Sequence, residues 1–116
     1  MKALMILNEA PYGSERTYNA LRLAGSLSRQ PGVELRVFLM GDAAACAKKG
    51  QKVPTGYYNA ETMLGIPLKR GASVAVCGTC MDARGIAEGD LTEGARRSTL
   101  DELTAWTVDA EKVIVF

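Results

Sequence analysis

Histidine is absent from the 116 residues of this chain, and long hydrophobic runs are absent as well. Without an imidazole, no Ser-His-Asp or Cys-His catalytic arrangement can form, and no histidine can ligate a metal. No uninterrupted apolar run is longer than Ala3–Leu7, whereas a membrane-spanning helix needs about 18 residues. The sequence therefore predicts a cytoplasmic protein with no membrane partner.

An excess of charge of either sign is also lacking. The chain has 14 Lys and Arg residues and 13 Asp and Glu residues, which gives a net charge of +1. No global field would attract nucleic acid, so we expect no nucleic-acid partner. The 47% hydrophobic and 23% charged content is ordinary for a globular protein and predicts one domain over residues 1–116.

Cysteine is scarce, with only Cys46, Cys77 and Cys80 in the chain. An odd number of cysteines in a chain that is long enough to build a core does not fit a secreted disulfide framework. The Cys77–Cys80 spacing is also that of metal ligands, but one subunit has no histidine and no second such pair to complete a zinc site. We therefore predict no metal and no cofactor.

Apolar runs alternate with helical patterns along the chain. Strands are predicted at Ala3–Leu7, Val33–Met40, Ser73–Cys77 and Val113–Phe116, and a weaker one at Ala95–Ser98 reads equally well as a loop. Helices are predicted after an N-cap at Ser14, within Ala43–Lys49, after Asn59 with a kink at Pro67, and after a capping box formed by Thr99 and Glu102. This alternation predicts a three-layer α/β protein with a parallel sheet.

The segment from Cys77 to Cys80, which reads Cys-Gly-Thr-Cys, is the sharpest chemical signal. It follows an apolar strand, and ligand sites in parallel sheets lie beyond the carboxyl ends of the strands. If a helix begins at Thr79, unpaired backbone N–H groups would favour the thiolate, and Arg84 would add positive charge. The alternatives are buried cysteines that only fill space, and a thioredoxin-type redox centre. The latter would need a proline downstream of the cysteines, whereas all four prolines lie upstream.

Several motifs resemble, in order and spacing, the small YchN-like members of the DsrE/DsrF-like sulfur-relay family. The matching positions cover nearly the whole chain: Ala10–Glu15, Phe38–Met40 with Asp42 and Ala43, Gly50–Gln51, Gly56–Tyr57, Met63–Leu64, Cys77 with Thr79–Cys80, Arg84–Ile86, Trp106–Thr107 and Lys112–Val113. The resemblance implies a parallel five-stranded sheet in the order 4-3-2-1-5 and a homohexamer. It also implies that Cys77 carries a persulfide and that Cys80 follows the pattern of the YchN-like subgroup, whereas Cys46 inherits no role.

The function that the resemblance implies is a sulfur relay, in which a persulfide sulfurtransferase exchanges sulfur with donor and acceptor proteins or small thiols. Cys77 and Cys80 are the predicted catalytic residues. The predicted substrate-binding residues are Arg84, Thr79, Pro11 and Tyr12. The alternative is a thiol redox or small-ligand-binding module that uses the cysteine pair without sulfur transfer. Tyr57, Tyr58 and Met63 also offer an apolar surface suited to oligomer contacts.

Overall fold

The computed structural model describes all residues of the chain, 1–116. The strands are β1 (Lys2–Leu7), β2 (Glu34–Leu39), β3 (Ser73–Cys77), β4 (Ala95–Ser98) and β5 (Lys112–Val115). The α-helices are α1 (Arg16–Leu27), α2 (Ala60–Lys69), α3 (Gly78–Ala83) and α4 (Leu100–Asp109). Two 3₁₀ segments, Gly41–Ala47 and Glu88–Asp90, complete the regular structure.

All five strands form one parallel sheet in the order β4-β3-β2-β1-β5. The α/β class and the parallel pairing are those that the sequence pattern predicted, and the strand order is the one that the family resemblance implied. In the register of the central strands, Met5 lies opposite Val37, and Val37 lies opposite Val74. Parallel strands place all their carboxyl ends at one edge, so Leu7, Leu39 and Cys77 end beside one another.

Alternation along the strands divides the core between two faces of the sheet. On the larger face, a cluster of 20 buried residues joins the sheet to α1, α2, α3 and the first 3₁₀ segment. The smaller face consists of Leu4, Phe38, Ala75 and Leu103, with Trp106 of α4 packed against them. The fold is therefore a three-layer sandwich with several helices on one face and α4 on the other.

The start of α1 differs from the prediction. The helix begins at Arg16 with Glu15 at the N-cap and no side-chain cap, so the predicted cap at Ser14 is wrong. The buried Thr17 hydroxyl instead donates to the Glu9 carbonyl at 2.8 Å. This bond ties the first turn to the loop after β1, but it is not a cap, because a cap side chain accepts from the first N–H groups of the helix.

The alanine-rich segment is a 3₁₀ helix over Gly41–Ala47, earlier in the chain than the short helix predicted within Ala43–Lys49. Four of its seven residues are buried, so it is packed into the core rather than lying on the surface. The Gln51 amide then donates to the carbonyls of Ala45, Cys46 and Lys48. Because those carbonyls are satisfied by a side chain, the helix need not continue.

The end of the chain confirms β4 and half of the capping box. The Thr99 hydroxyl accepts from the Glu102 N–H at 3.3 Å, as the pattern predicted. The Glu102 carboxylate does not return to the N-cap, because it pairs with the Arg96 guanidinium and accepts from the Ser98 hydroxyl. Asn59 caps α2 as predicted, by accepting from the Thr62 N–H at 3.0 Å. No helix of the fold has the length and apolar character needed to cross a bilayer.

Candidate active site

Cys77 is the last residue of β3 and the residue immediately before α3. The strand alternates between the two faces, so Cys77 follows Ala75 and packs against the smaller cluster that contains Phe38. Cys80, one turn into α3, packs instead against the larger cluster. The two thiols therefore meet at the edge of the sheet from opposite faces.

Both cysteines line one cleft of about 470 Å³ at the carboxyl edge. Its other walls come from the ends of β2 and β4 and the start of α4: Phe38, Met40, Gly78, Thr79, Arg97, Ser98, Thr99 and Leu100. Phe38 is fully buried at the base, whereas Leu100 is largely exposed. The cleft thus combines apolar walls with two thiols and one guanidinium.

The environment of Cys77 favours its thiolate. Burial alone would raise the pKa of Cys77, but the side chains and amides of Cys80 and Thr79 outweigh burial and lower it. The Cys77 Sγ lies 3.3 Å from the Thr79 hydroxyl oxygen, which is hydrogen-bond distance for sulfur. Thr79, predicted as a substrate-binding residue, therefore touches the sulfur directly.

The environment of Cys80 favours the protonated thiol. Burial raises the pKa of Cys80, and its interaction with Cys77 raises it further. The Gly41 amide and the positive charge of Arg84 oppose this rise without cancelling it. The pair is thus asymmetric: the surroundings favour the thiolate at Cys77 and the protonated thiol at Cys80.

Arg84 is oriented toward Cys80 and the first 3₁₀ segment. Its Nη1 donates to the Cys80 carbonyl at 3.1 Å, and its Nε and Nη2 donate to the Asp42 carboxylate at 3.1 and 2.9 Å. The positive charge predicted beside the thiols is present, but it is shared with an aspartate. The influence of Arg84 falls on Cys80.

Pro11 and Tyr12 belong to a neighbouring aromatic cluster and are not among the residues that line the cleft. The Tyr58 hydroxyl donates to the Pro11 carbonyl at 3.0 Å, and the Tyr12 hydroxyl accepts from the Ala60 N–H at 3.1 Å. The rings of Tyr12 and Tyr58 are 5.5 Å apart. These contacts hold the loop after β1 against α2, and substrate binding by Pro11 and Tyr12 stays a prediction.

Cys46 is set apart from the cleft. It is fully buried in the first 3₁₀ segment, and burial raises the pKa of its thiol to about 12. Such a thiol stays protonated at neutral pH and packs as a small apolar residue. No three cysteine, aspartate or glutamate side chains converge anywhere in the structure in a way that could hold a metal ion.

Arg97 is the cleft residue that the sequence analysis missed. The adjacent Arg96 and Arg97 were predicted as a weak strand or a solvated loop. On β4 they separate, because Arg96 points to Glu102 and Trp106, whereas Arg97 reaches Asp82 of α3. The period of two along a strand adjacent to β3 was the signal that could have identified Arg97.

The structure thus defines a parallel α/β protein with a pair of thiols at the carboxyl edge of its sheet. The chain belongs to the DsrE/DsrF-like family, whose family model matches residues 1–116. This family is associated with sulfur relay.

Individual relatives agree with this assignment. The protein YchN of Escherichia coli is 44% identical over 116 residues, which is 99% of this chain and 98% of YchN. Its crystal structure superposes with a TM-score of 0.93 over the same shares of the two chains. An uncharacterized protein of Methanocaldococcus jannaschii is 40% identical over the full length of both chains. A protein of unknown function from Methanobacterium thermoautotrophicum shares the fold, with a TM-score of 0.79, at 12% identity over 99% of this chain and 98% of that one.

Proposed function

We propose that this protein is a sulfur-relay protein that carries sulfane sulfur as a persulfide on Cys77. The observation that carries the proposal is the position of Cys77, whose sulfur lines the cleft within 3.3 Å of the Thr79 hydroxyl oxygen. Family membership supports the same chemistry. Sulfur transfer needs a thiolate nucleophile and no acid-base histidine, which this chain lacks.

Loading conserves atoms and electrons. The Cys77 thiolate attacks the outer sulfur of a donor persulfide, a new S–S bond forms, and the S–S bond of the donor breaks. The donor leaves as a thiol, and Cys77 holds the transferred sulfur as Cys-S-S⁻. Delivery repeats the step, with the thiolate of an acceptor protein or small thiol attacking the outer sulfur.

Cys80 provides a second route for release. Its thiol can attack the inner sulfur of the Cys77 persulfide, which expels hydrosulfide and leaves a Cys77–Cys80 disulfide. A thiol reductant must then supply two electrons to restore both cysteines. Because burial and Cys77 raise the pKa of Cys80, this route is slower at neutral pH than it would be with a thiol of ordinary pKa.

Incubation with glutathione persulfide tests the proposal by intact mass spectrometry. We expect the wild-type chain to gain the mass of one sulfur atom, which a thiol reductant removes. Cys77→Ser abolishes the gain because the attacking thiolate is missing, whereas Cys46→Ala, a matched control at the buried cysteine, leaves it unchanged.

The redox alternative predicts a different mass. If no sulfur is gained from the persulfide and mild oxidation removes two hydrogen atoms, Cys77 and Cys80 act as a thiol–disulfide pair and the relay proposal is wrong. This alternative draws on the same observation, because the two thiols lie close enough to shift each other's pKa.

Assembly into a homohexamer belongs to the same proposal. The apolar side chains that one subunit leaves exposed include Tyr57 at 73%, Val108 at 83% and Val115 at 63% of their surface. Val115 lies on β5, an edge strand in register with Ile6, on the face of the sheet that α4 covers. Apolar surface at an edge strand is ordinarily covered by another chain.

Light scattering at micromolar concentration measures the assembly directly. We expect six times the subunit mass of 12.4 kDa. Val115→Lys should lower that mass, because a buried contact would then have to accommodate a charge. A wild-type chain that remains at the subunit mass would contradict the assembly and leave the cysteine chemistry intact.

A further inference from the structure

Arg97 lies against the backbone beside the reactive cysteine in an arrangement that only glycine at position 78 permits. A Cβ atom built on Gly78 would lie 2.8 Å from the Arg97 Cζ and Nε and 2.9 Å from Nη2. These separations are shorter than van der Waals contact. Gly78 has no positive φ, so the position needs glycine for space rather than for backbone conformation.

Asp82 fixes the other side of the guanidinium. Its two carboxylate oxygens accept from Arg97 Nη1 and Nη2 at 2.8 and 2.9 Å, a bidentate pair. Asp82 is on α3, so the helix that carries Cys80 also holds Arg97 in place. The guanidinium is therefore positioned from two sides, by the Gly78 backbone and by a carboxylate.

Asp82 takes one N–H from each terminal nitrogen of Arg97, which leaves the Nε–H and one N–H on each of Nη1 and Nη2 without a partner in the structure. Arg97 and Cys77 line the same cleft. The pKa of Arg97 is raised mainly by its bonds to Asp82, and negative charge at Cys77 makes the smallest contribution in the same direction. The other arginine near the thiols, Arg84, directs all three of its nitrogens to Asp42 and to the Cys80 carbonyl. Both arginines are paired with a carboxylate, but Arg97 is the one that lines the cleft, and it keeps N–H donors available for an anion at Cys77.

We propose that Arg97 is the anion-binding residue of the Cys77 site. The small size of Gly78 lets the Arg97 guanidinium reach that site. The ligand of Arg97 would be the anionic outer sulfur of the Cys77 persulfide or of the incoming donor. The identity of this ligand rests on the proposed function. Loading and delivery both develop negative charge beyond the Cys77 sulfur. A guanidinium that is already fixed in the cleft stabilises this negative charge in both steps and does not have to move.

Two alkylating reagents of similar size test the inference on the unloaded protein. Iodoacetate is an anion and iodoacetamide is neutral, so the ratio of their rates at Cys77 measures the local positive potential and cancels the thiolate fraction. We expect Arg97→Gln to lower this ratio on the order of threefold, the effect of removing one nearby and partly screened charge. Peptide mass spectrometry assigns the reaction to Cys77.

Two further variants test whether the position of the Arg97 guanidinium matters, and whether the effect is specific to Arg97. Gly78→Ala keeps the charge but displaces the flexible end of Arg97, so it should lower the ratio in the same direction, while its thermal unfolding stays close to wild type. Arg96→Gln, one residue away and engaged by Glu102, is the matched control and should leave the ratio unchanged.

The outcomes distinguish this inference from the relay proposal. An unchanged ratio in Arg97→Gln, or an equal fall in Arg96→Gln, overturns the anion-binding role whatever the sulfur-loading result. A fall in Arg97→Gln without one in Gly78→Ala overturns the role of the Gly78 contact. If the wild-type chain takes up no sulfur but the ratio still falls, the anion site stands and the persulfide is not its ligand.

Discussion

Under native conditions, Cys77 will react with iodoacetamide faster than Cys80, and Cys46 will not react until the chain unfolds. The thiolate is the reacting form, and each unit of pKa changes its fraction tenfold below the pKa. The pKa of Cys77 is lowered, that of Cys80 is raised, and that of the fully buried Cys46 is raised to about 12. We expect Cys46 to be slower than Cys77 by at least about a thousandfold, from protonation and burial together.

The pH dependence of the alkylation rate at each cysteine shows the direction in which its pKa is shifted. A lowered pKa means that the rate at Cys77 starts to rise at a lower pH than for an ordinary thiol, and a raised pKa moves the rise at Cys80 to higher pH. Peptide mass spectrometry after short reaction times at several pH values resolves the three sites. Unfolding in denaturant should equalise them, which is the internal control.

Two results would contradict this order. Faster modification of Cys80 than of Cys77 at neutral pH would exchange their roles, with Cys80 as the carrier. Native-state modification of Cys46 at a comparable rate would mean that the first 3₁₀ segment opens readily, contrary to what we expect from the full burial of Cys46.

The positions of the strands could be predicted from the sequence, because the pattern that indicates a strand lies within a few consecutive residues. A strand covered on both faces must be apolar at consecutive positions, as Ala3–Leu7 is, and the break that follows marks the edge where ligands bind. The order of the strands is not local information, and it came from the resemblance to the family. The Cys77–Cys80 pair was found for the same reason, since both residues lie in one turn after a recognisable strand.

The cation of the site was not predicted, because it follows only when the pairing of β4 with β3 is combined with the alternation of side chains along β4. Arg84 is close to Cys80 in sequence and was chosen for that reason, yet its guanidinium is committed to Asp42. Arg97 is far from Cys77 in sequence, and the two line the same cleft only because β4 pairs with β3, with Val76 opposite Arg97 and Cys77 opposite Ser98. Its bond to Asp82 and its contact with Gly78 are tertiary facts that no periodicity encodes.

The predicted cap at Ser14 failed for a related reason. Ser is a good N-cap in isolation, but the loop after β1 is held by the Thr17 hydroxyl and by Tyr58, which fix where the helix can begin. The position of the alanine-rich helix changed likewise, since Gln51 satisfies its last carbonyls from outside. In both cases a side chain from beyond the segment replaced the local signal.

Phe38→Ala will be the most destabilising single substitution that we predict, because Phe38 joins the smaller core to the base of the cleft. Its side chain is 1% exposed and packs with Leu4, Ala75 and Leu103. The Trp106 ring meets it edge-on, with centroids 6.1 Å apart and an interplanar angle of 89°. Removing a buried phenyl ring costs about 3 to 5 kcal/mol, partly through the cavity left behind, and the aromatic pair adds about 0.5 to 1.5 kcal/mol.

Urea unfolding followed by circular dichroism measures this loss as a fall in the free energy of unfolding at constant m-value. Phe38→Leu is the matched control and should lose under about 2 kcal/mol, since most of the apolar volume is kept. The buried cluster on the smaller face has only four residues, and α4 alone covers it. Phe38 therefore has few neighbours that could move to fill a cavity. If Phe38→Ala and Phe38→Leu are destabilised equally, or if Phe38→Ala loses less than about 1 kcal/mol, the smaller face is not a rigid core. Cys77, which packs against that face, would then lack the fixed support that its proposed chemistry requires.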